Sequence, residues 1–261
     1  MTTDQIRLTI FLSVFFLMLV LERFIPRHPT VDSKLRRLGI NMGLTALNTA
    51  VVKLLFGAAA VGAAAFAESR GWGLLHLVEW PVWLEVLAAV VFLDFMIYIQ
   101  HVVVHMVPMF WRFHIVHHSD LDLDVSSGFR FHPVEIALSM LIKIFIVLGL
   151  GPSVLAVILF EAILNGMAQF SHSNIYIPEP LDRALRFLLV TPDMHRIHHS
   201  VEVHETNSNY GFNLSIWDRF LGTYIENAIK PQPDILIGVE KYRRPEEVTF
   251  GKLLTMPAAG D

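Results

Sequence analysis

The sequence predicts an all-α fold, a polytopic bundle of about four to five transmembrane helices carrying a histidine-rich helical cap on its cytoplasmic face. Three observations predict it. The chain is 54% hydrophobic and only 17% charged, against about a quarter charged in an ordinary soluble domain. Its apolar residues gather into runs long enough to cross a bilayer. Its 13 histidines collect at the ends of those runs with helical spacing.

The first run, Ile6 to Leu21, leads into Glu22, Arg23 and Arg27. A cleaved signal peptide carries its basic residues ahead of the apolar stretch, so this order predicts a retained first membrane helix. A second crossing is expected over about Gly39–Phe66, where Gly57, Gly62 and neighbouring alanines permit close helix packing. A third is expected from about Val82 to His105. The fourth and fifth, Val134–Leu150 and Ser153–Phe170, flank Gly149, Gly151 and Pro152 and predict a membrane hairpin. Five Lys or Arg lie between Arg23 and Arg37, whereas the loop from Ala67 to Pro81 holds only Arg70. The positive-inside rule therefore places the first loop, and every histidine-rich stretch after it, in the cytoplasm. The expected organisation is residues 1–90 as N-terminal membrane helices, 91–225 as a histidine-box domain that includes the hairpin, and 226–261 as a C-terminal cytoplasmic tail.

Composition narrows the chemistry. A net charge of −4 without a basic block gives no footprint for nucleic acid. The absence of cysteine excludes disulfides, thiolate metal sites and a cysteine nucleophile. Imidazole remains, and its pattern is informative. Asp94, Tyr98, His101 and His105 fall on one helical stripe, so two imidazoles can grip one ion while Asp94 or Tyr98 orients the rings. His114, His117 and His118 form a His-x-x-His-His box, and His195, His198 and His199 repeat it about eighty residues later. His132 and His172 lie at helix ends at the same depth and are candidate ligands. His28, His76 and His204 lack that context.

This set exceeds what one ion accepts, about four to six ligands, so two metal ions are expected. Oxygen ligands are scarce in these motifs, which argues for a transition metal over Mg²⁺ or Ca²⁺. No His-Glu-x-x-His supplies a general base beside a ligand, which weakens a zinc hydrolase acting on a lipid. A metal-binding transporter or sensor would spread its ligands through the membrane depth. An all-imidazole dimetal site suits dioxygen activation better than either. In the bilayer, Glu161, Asn165 and Gln169 make a polar stripe, and Lys143 is expected to pair with Glu161, because each ionisable group costs about 2.5–3.5 kcal/mol inside a spanning helix.

The motifs between Asp94 and Tyr224 resemble those of the fatty acid hydroxylase and sterol desaturase superfamily of membrane di-iron oxygenases. Besides the boxes, the resemblance rests on Trp111, Ser119, Phe170-Ser-His172, Thr191-Pro192-Asp193, Asn209-Tyr210-Gly211 and Trp217 to Tyr224. It implies a di-iron centre of two Fe ions held by His101, His105, His114, His117, His118, His172, His195, His198 and His199, with O2 as co-substrate. His132 is a further candidate at a position where members of the superfamily differ. The implied reaction is hydroxylation or desaturation of a lipid C–H bond. The chain has no dinucleotide loop, so an external electron donor of the ferredoxin, rubredoxin or cytochrome type is expected, with Arg183, Arg186 and Arg196 as candidates for attracting it.

Overall fold

A computed structural model describes residues 3–259. They form twelve α-helices and, among the described residues, no β-strand, only three isolated bridges. Helix α1 is Thr3–Phe24, α2 Lys34–Phe56, α3 Ala59–Arg70, α4 Val82–Met106, α5 Pro108–His118, α6 Pro133–Leu150 and α7 Val154–His172. The short cap helices follow: α8 Glu179–Leu185, α9 Pro192–His198, α10 Val203–Thr206, α11 Ile216–Leu221 and α12 Phe250–Thr255. Five segments are long and apolar enough to cross a membrane: Gln5–Phe24, Lys34–Leu77, Val82–Met106, Pro133–Leu150 and Val154–His172. The protein is a multi-pass membrane protein.

The second crossing differs from the expected single helix over Gly39–Phe66. It is two helices, broken where Gly57 and then Ala59 take positive φ (56° and 50°). Glycine adopts that conformation without steric cost, and the surrounding alanines have no long side chains to hold the helix straight. The break turns the small face Ala60, Ala64 and Ala67, all buried, onto α6 and α7. Their neighbours Ala89, Leu93, Val147, Val157 and Phe160 complete the intramembrane core. At the end remote from the cap, Ser153 caps α7 while its amide and hydroxyl donate to Glu85 on α4 (2.8 Å each). Gly151 ends α6 at φ 68°, packed so closely on Trp72 and Gly73 that a Cβ would strike the Trp72 carbonyl. Lys143 and Glu161 meet as expected, at 3.6 Å. Arg7 of α1 also donates to Glu161, so the group joins three helices.

At the other end, buried ion pairs clamp the loops to the helices. Arg37 forks onto Asp120 (2.7 and 3.0 Å) and contacts Asp124 at 2.8 Å, with only 1% of its surface exposed. Glu22 pairs with Lys34 and accepts the amides of Val125 (2.7 Å) and Asn174 (2.9 Å). Arg27 forks onto Asp193, which also holds Arg196. The basic residues that mark orientation in the sequence are thus largely consumed in fastening. Residues 226–259, within the segment read from the sequence as a tail, pack onto the cap. Ile235 and Ile237 lie against Ile197, and Val248, Leu253 and Met256 lie against Val116.

Replacing Arg37 by Met leaves three aspartates without their central cation in a dry site. We expect a loss of about 3–5 kcal/mol of stability, measured as a fall in unfolding free energy or Tm of the detergent-solubilised protein.

Candidate metal centre

Four elements deliver nine histidines to one end of the bundle. On α4, His101 and His105 stand one turn apart. Pro108 starts α5, whose spacing of three and one puts His114, His117 and His118 on its buried side. His172 is the last residue of α7. Thr191 caps α9, its hydroxyl accepting the Met194 amide, and this short helix with its C-cap presents His195, His198 and His199.

The imidazoles sort into two groups. His101, His105, His114, His118 and His198 form one, and His117, His172, His195 and His199 the other; within each, one nitrogen per residue lies within 4.8 Å of all the rest. The groups share a wall in which His118 stacks on His199 at 4.3 Å between ring centroids. All nine are buried.

Tautomers are set from behind. His101 Nδ1 lies 2.7 Å from the Tyr210 carbonyl, His198 Nδ1 2.7 Å from the Ser208 carbonyl, His172 Nδ1 2.8 Å from the Ala168 carbonyl, and His114 Nδ1 2.6 Å from Glu135 Oε1. Each ring therefore donates from Nδ1 and turns the Nε2 lone pair inward. Nε2 of His101, His114 and His198 is buried without a hydrogen-bond partner among the described residues, as are both ring nitrogens of His118. In the second group Nε2 atoms face one another at 3.0–3.2 Å (His172 to His117, His195 to His172, His199 to His195). Two nitrogens bound at right angles to one ion, each at ~2.1 Å, lie ~3.0 Å apart, so this spacing is what ligation requires. The donor set fits two transition-metal ions. Hard cations are disfavoured, since neither group contains a carboxylate.

Burial first, and neighbouring imidazoles second, hold the pKa values of His117, His118, His195, His198 and His199 well below the usual 6.5. The rings are neutral near pH 7 and their lone pairs are available.

His132 belongs to neither group. Its Nδ1 accepts the Val134 amide as the N-cap of α6, and its Nε2 faces the Leu254 carbonyl at 3.3 Å. Both nitrogens are engaged there, and the structure does not bring His132 into either group. His28, His76 and His204 also lie outside both groups. Asp94 and Tyr98 do not orient the rings. Asp94 accepts from the Asn213 and Leu214 amides (3.3 Å each) and from Trp217 Nε1 (2.8 Å), and the Tyr98 hydroxyl meets Thr223 Oγ1 at 2.8 Å. Asp218 accepts the Tyr210 and Gly211 amides (2.7 and 2.8 Å). These bonds hold the loop whose carbonyls reach His101 and His198. Between those carbonyls Asn209 takes φ 50°, its side chain tied to Met194 and Ile225. Glu135 escaped notice in the sequence because an acidic residue in a helix's first turn is ordinary capping chemistry. Two of the arginines expected to attract a donor are internal: Arg196 is buried against Asp193 and Arg186 against Asp182. Only Arg183 is exposed, paired with Glu179.

The fatty acid hydroxylase family model matches residues 86–223, just over half the chain and the whole of this nine-histidine centre. The chain belongs to the fatty acid hydroxylase family. An ornithine lipid hydroxylase, OlsE, of Rhizobium tropici is 33% identical over 147 residues, 56% of this chain and 43% of that protein. The alkylglycerol monooxygenase of Xenopus tropicalis is 31% identical over 223 residues, 83% of this chain and 47% of that one. Human alkylglycerol monooxygenase is 32% identical over 132 residues, 50% of this chain and 28% of the human protein. The chain thus spans less than half the length of these curated relatives. No solved structure matches it. Within the family region fall all nine grouped histidines and the loop that orients two of them; the first 85 residues, with Arg37 and Glu22, lie outside it.

Two predictions follow from the geometry. Glu135→Gln weakens the acceptor behind His114 and is expected to cost about tenfold in metal affinity, read by competition with a chelator while the four-histidine group keeps its ion. The second concerns pH. In the unfolded chain His117, His118, His195, His198 and His199 take up protons near pH 6.5, where in the folded chain they do not, so stability and metal retention are complete above that pH and fall as it is lowered. Acidification from about pH 7.5 to about pH 5 should release metal and lower Tm, with metal content measured after gel filtration at each pH.

Proposed function

We propose that the protein is a membrane-bound di-iron oxygenase that hydroxylates a C–H bond of a lipid, using dioxygen and electrons from an external donor. The observation that carries this reading is the pair of all-imidazole groups sharing a wall, with unpartnered Nε2 atoms turned inward. It is supported by relatives named as a lipid hydroxylase and a monooxygenase. Those names favour hydroxylation over desaturation, and iron fits neutral nitrogen ligands that must serve more than one oxidation state. The ligands are His101, His105, His114, His118 and His198 in one group and His117, His172, His195 and His199 in the other.

Iron bound there supplies the redox capacity to activate dioxygen towards an unactivated C–H bond. The chain does the rest. The carbonyls of Ser208, Tyr210 and Ala168, with Glu135, hold the Nδ1–H tautomers, and the buried walls keep bulk water from the reacting carbon. One oxygen atom enters the C–H bond and the other leaves as water, so electrons and protons must arrive from outside. A ferredoxin, rubredoxin or cytochrome-type donor is the fitting partner, and the cytoplasmic face is its place of docking, since the loop after α1 carries the positive charge.

A zinc hydrolase needs a carboxylate free to activate water. Within the two groups there is none, and Glu135 meets His114 at Nδ1, behind the ring and away from the inward-facing Nε2. The oxygenase reading is tested on protein purified without oxygen. About two irons per chain, reductant-dependent oxygen consumption, and one ¹⁸O from ¹⁸O2 in a lipid of expressing membranes are expected. Retained zinc with anaerobic activity on a lipid overturns it.

A further inference from the structure

Residues of α4, α5 and α6 line a narrow lateral groove of about 40 Å³ beside the metal centre. Its walls are apolar, with Val104, Phe110 and Phe113 among them. Val103, Leu138 and Ile142 at its rim are 38–40% exposed on membrane-spanning helices, so the medium outside the groove is lipid. The groove is bound to the metal centre through the chain itself. Gln100 precedes His101, Phe113 precedes His114, and Glu135 holds His114.

Three polar side chains interrupt this apolar surface. Gln100 Nε2 donates to Ser139 Oγ at 2.6 Å, joining α4 to α6 across the groove. One turn before Ser139, Glu135 lines the same space, and its second oxygen, Oε2, is buried with no hydrogen-bond partner among the described residues. A bare hydrocarbon in the groove would leave that oxygen desolvated and unpaired, an unfavourable arrangement for a carboxylate. A mostly apolar cleft with a few convergent polar groups is the usual form of a small-molecule site.

We propose that this groove holds the chain of a lipid substrate, and that Glu135, Gln100 and Ser139 read the first polar link on that chain. The link is a group that both donates and accepts a hydrogen bond, such as a hydroxyl or a secondary amide. Its O–H or N–H donates to Glu135 Oε2, and its oxygen accepts from the amide of Gln100 or the hydroxyl of Ser139. The polar group is thereby held at a fixed place beside His114, and the carbon presented for oxidation lies at a set distance along the chain from it. The inference rests on the oxygenase reading only in calling the occupant a substrate.

The test is a binding measurement, independent of turnover. Full-length protein in detergent micelles, loaded with iron under anaerobic conditions, is titrated with 1-hexadecanol and with hexadecyl methyl ether, and bound probe is counted by native mass spectrometry. The alcohol donates and accepts; the ether only accepts. Wild type is expected to bind the alcohol roughly tenfold more tightly. Glu135→Gln, which can place an N–H where Oε2 stood, should reduce that preference at least threefold, whereas Q100L/S139A, which removes the donors both probes accept from, and S139F, which fills the groove, should each weaken both probes. Equal binding of the probes by wild type overturns the proposal, as does an undiminished preference in Glu135→Gln, or unaltered binding of both probes in Q100L/S139A or in S139F. A retained preference in protein that consumes no oxygen supports the groove and sinks the oxygenase reading alone; oxygen chemistry with no preference does the reverse.

Discussion

Nine imidazoles in a dry volume impose the central constraint on this molecule. No carboxylate lies within either group, and burial holds His117, His118, His195, His198 and His199 well below the usual imidazole pKa. Nε2 atoms 3.0–3.2 Å apart can be bridged by a proton or, with their lone pairs turned to one point, by a metal ion. The cluster is suited to carrying metal, and the fold around it serves to bring and keep these imidazoles together. They come from helices far apart in sequence, so the elements carrying them must be fixed to one another independently of the ions.

That fixing is done mainly by buried charge. Arg37 gathers the loop that follows the first box, Glu22 collects the amides of Val125 and Asn174, and Arg27 holds the helix of the second box through Asp193. All three cations or anions lie in the first forty residues, outside the family region. Charges of this kind add little net stability compared with apolar packing, but they fix geometry strictly, because a displaced partner leaves an unpaired ion in a dry place. The N-terminal helices thus act on the metal centre without touching it.

Much of this was legible in the sequence, for a reason that is local. Apolar runs such as Val134–Leu150 declare themselves by length, and histidines three and four apart declare a shared helix face. Lys143 and Glu161 were foreseeable because the Gly151 turn folds adjacent helices back upon each other. What escaped depends on partners distant in the chain. Glu135 looks like ordinary capping until α5 is laid beside it, Arg37 looks like a topogenic charge until Asp120 to Asp124 surround it, and Asp94 points to a loop near Trp217 instead of to the rings of its own helix. His132 shows the converse, since only its hydrogen bonds reveal that its nitrogens are engaged. The Gly57 break was hidden because an alanine-rich run continues through it with no change of composition.

The attachment of Asp94 bears on how the chain is made. This carboxyl sits roughly 18 Å of helix from Met106, near the middle of α4. Its strongest partner, Trp217, follows 123 residues later. A ribosome must therefore deliver α4 to the bilayer with an acidic group that has none of its eventual donors, at a cost of about 2.5–3.5 kcal/mol on insertion scales. The strongly apolar remainder of the helix, with a mean hydropathy of 2.2, offsets that burden. Docking of the segment from Asn213 to Trp217 then ends the exposure, so completion of the cap also stabilises a helix inserted long before.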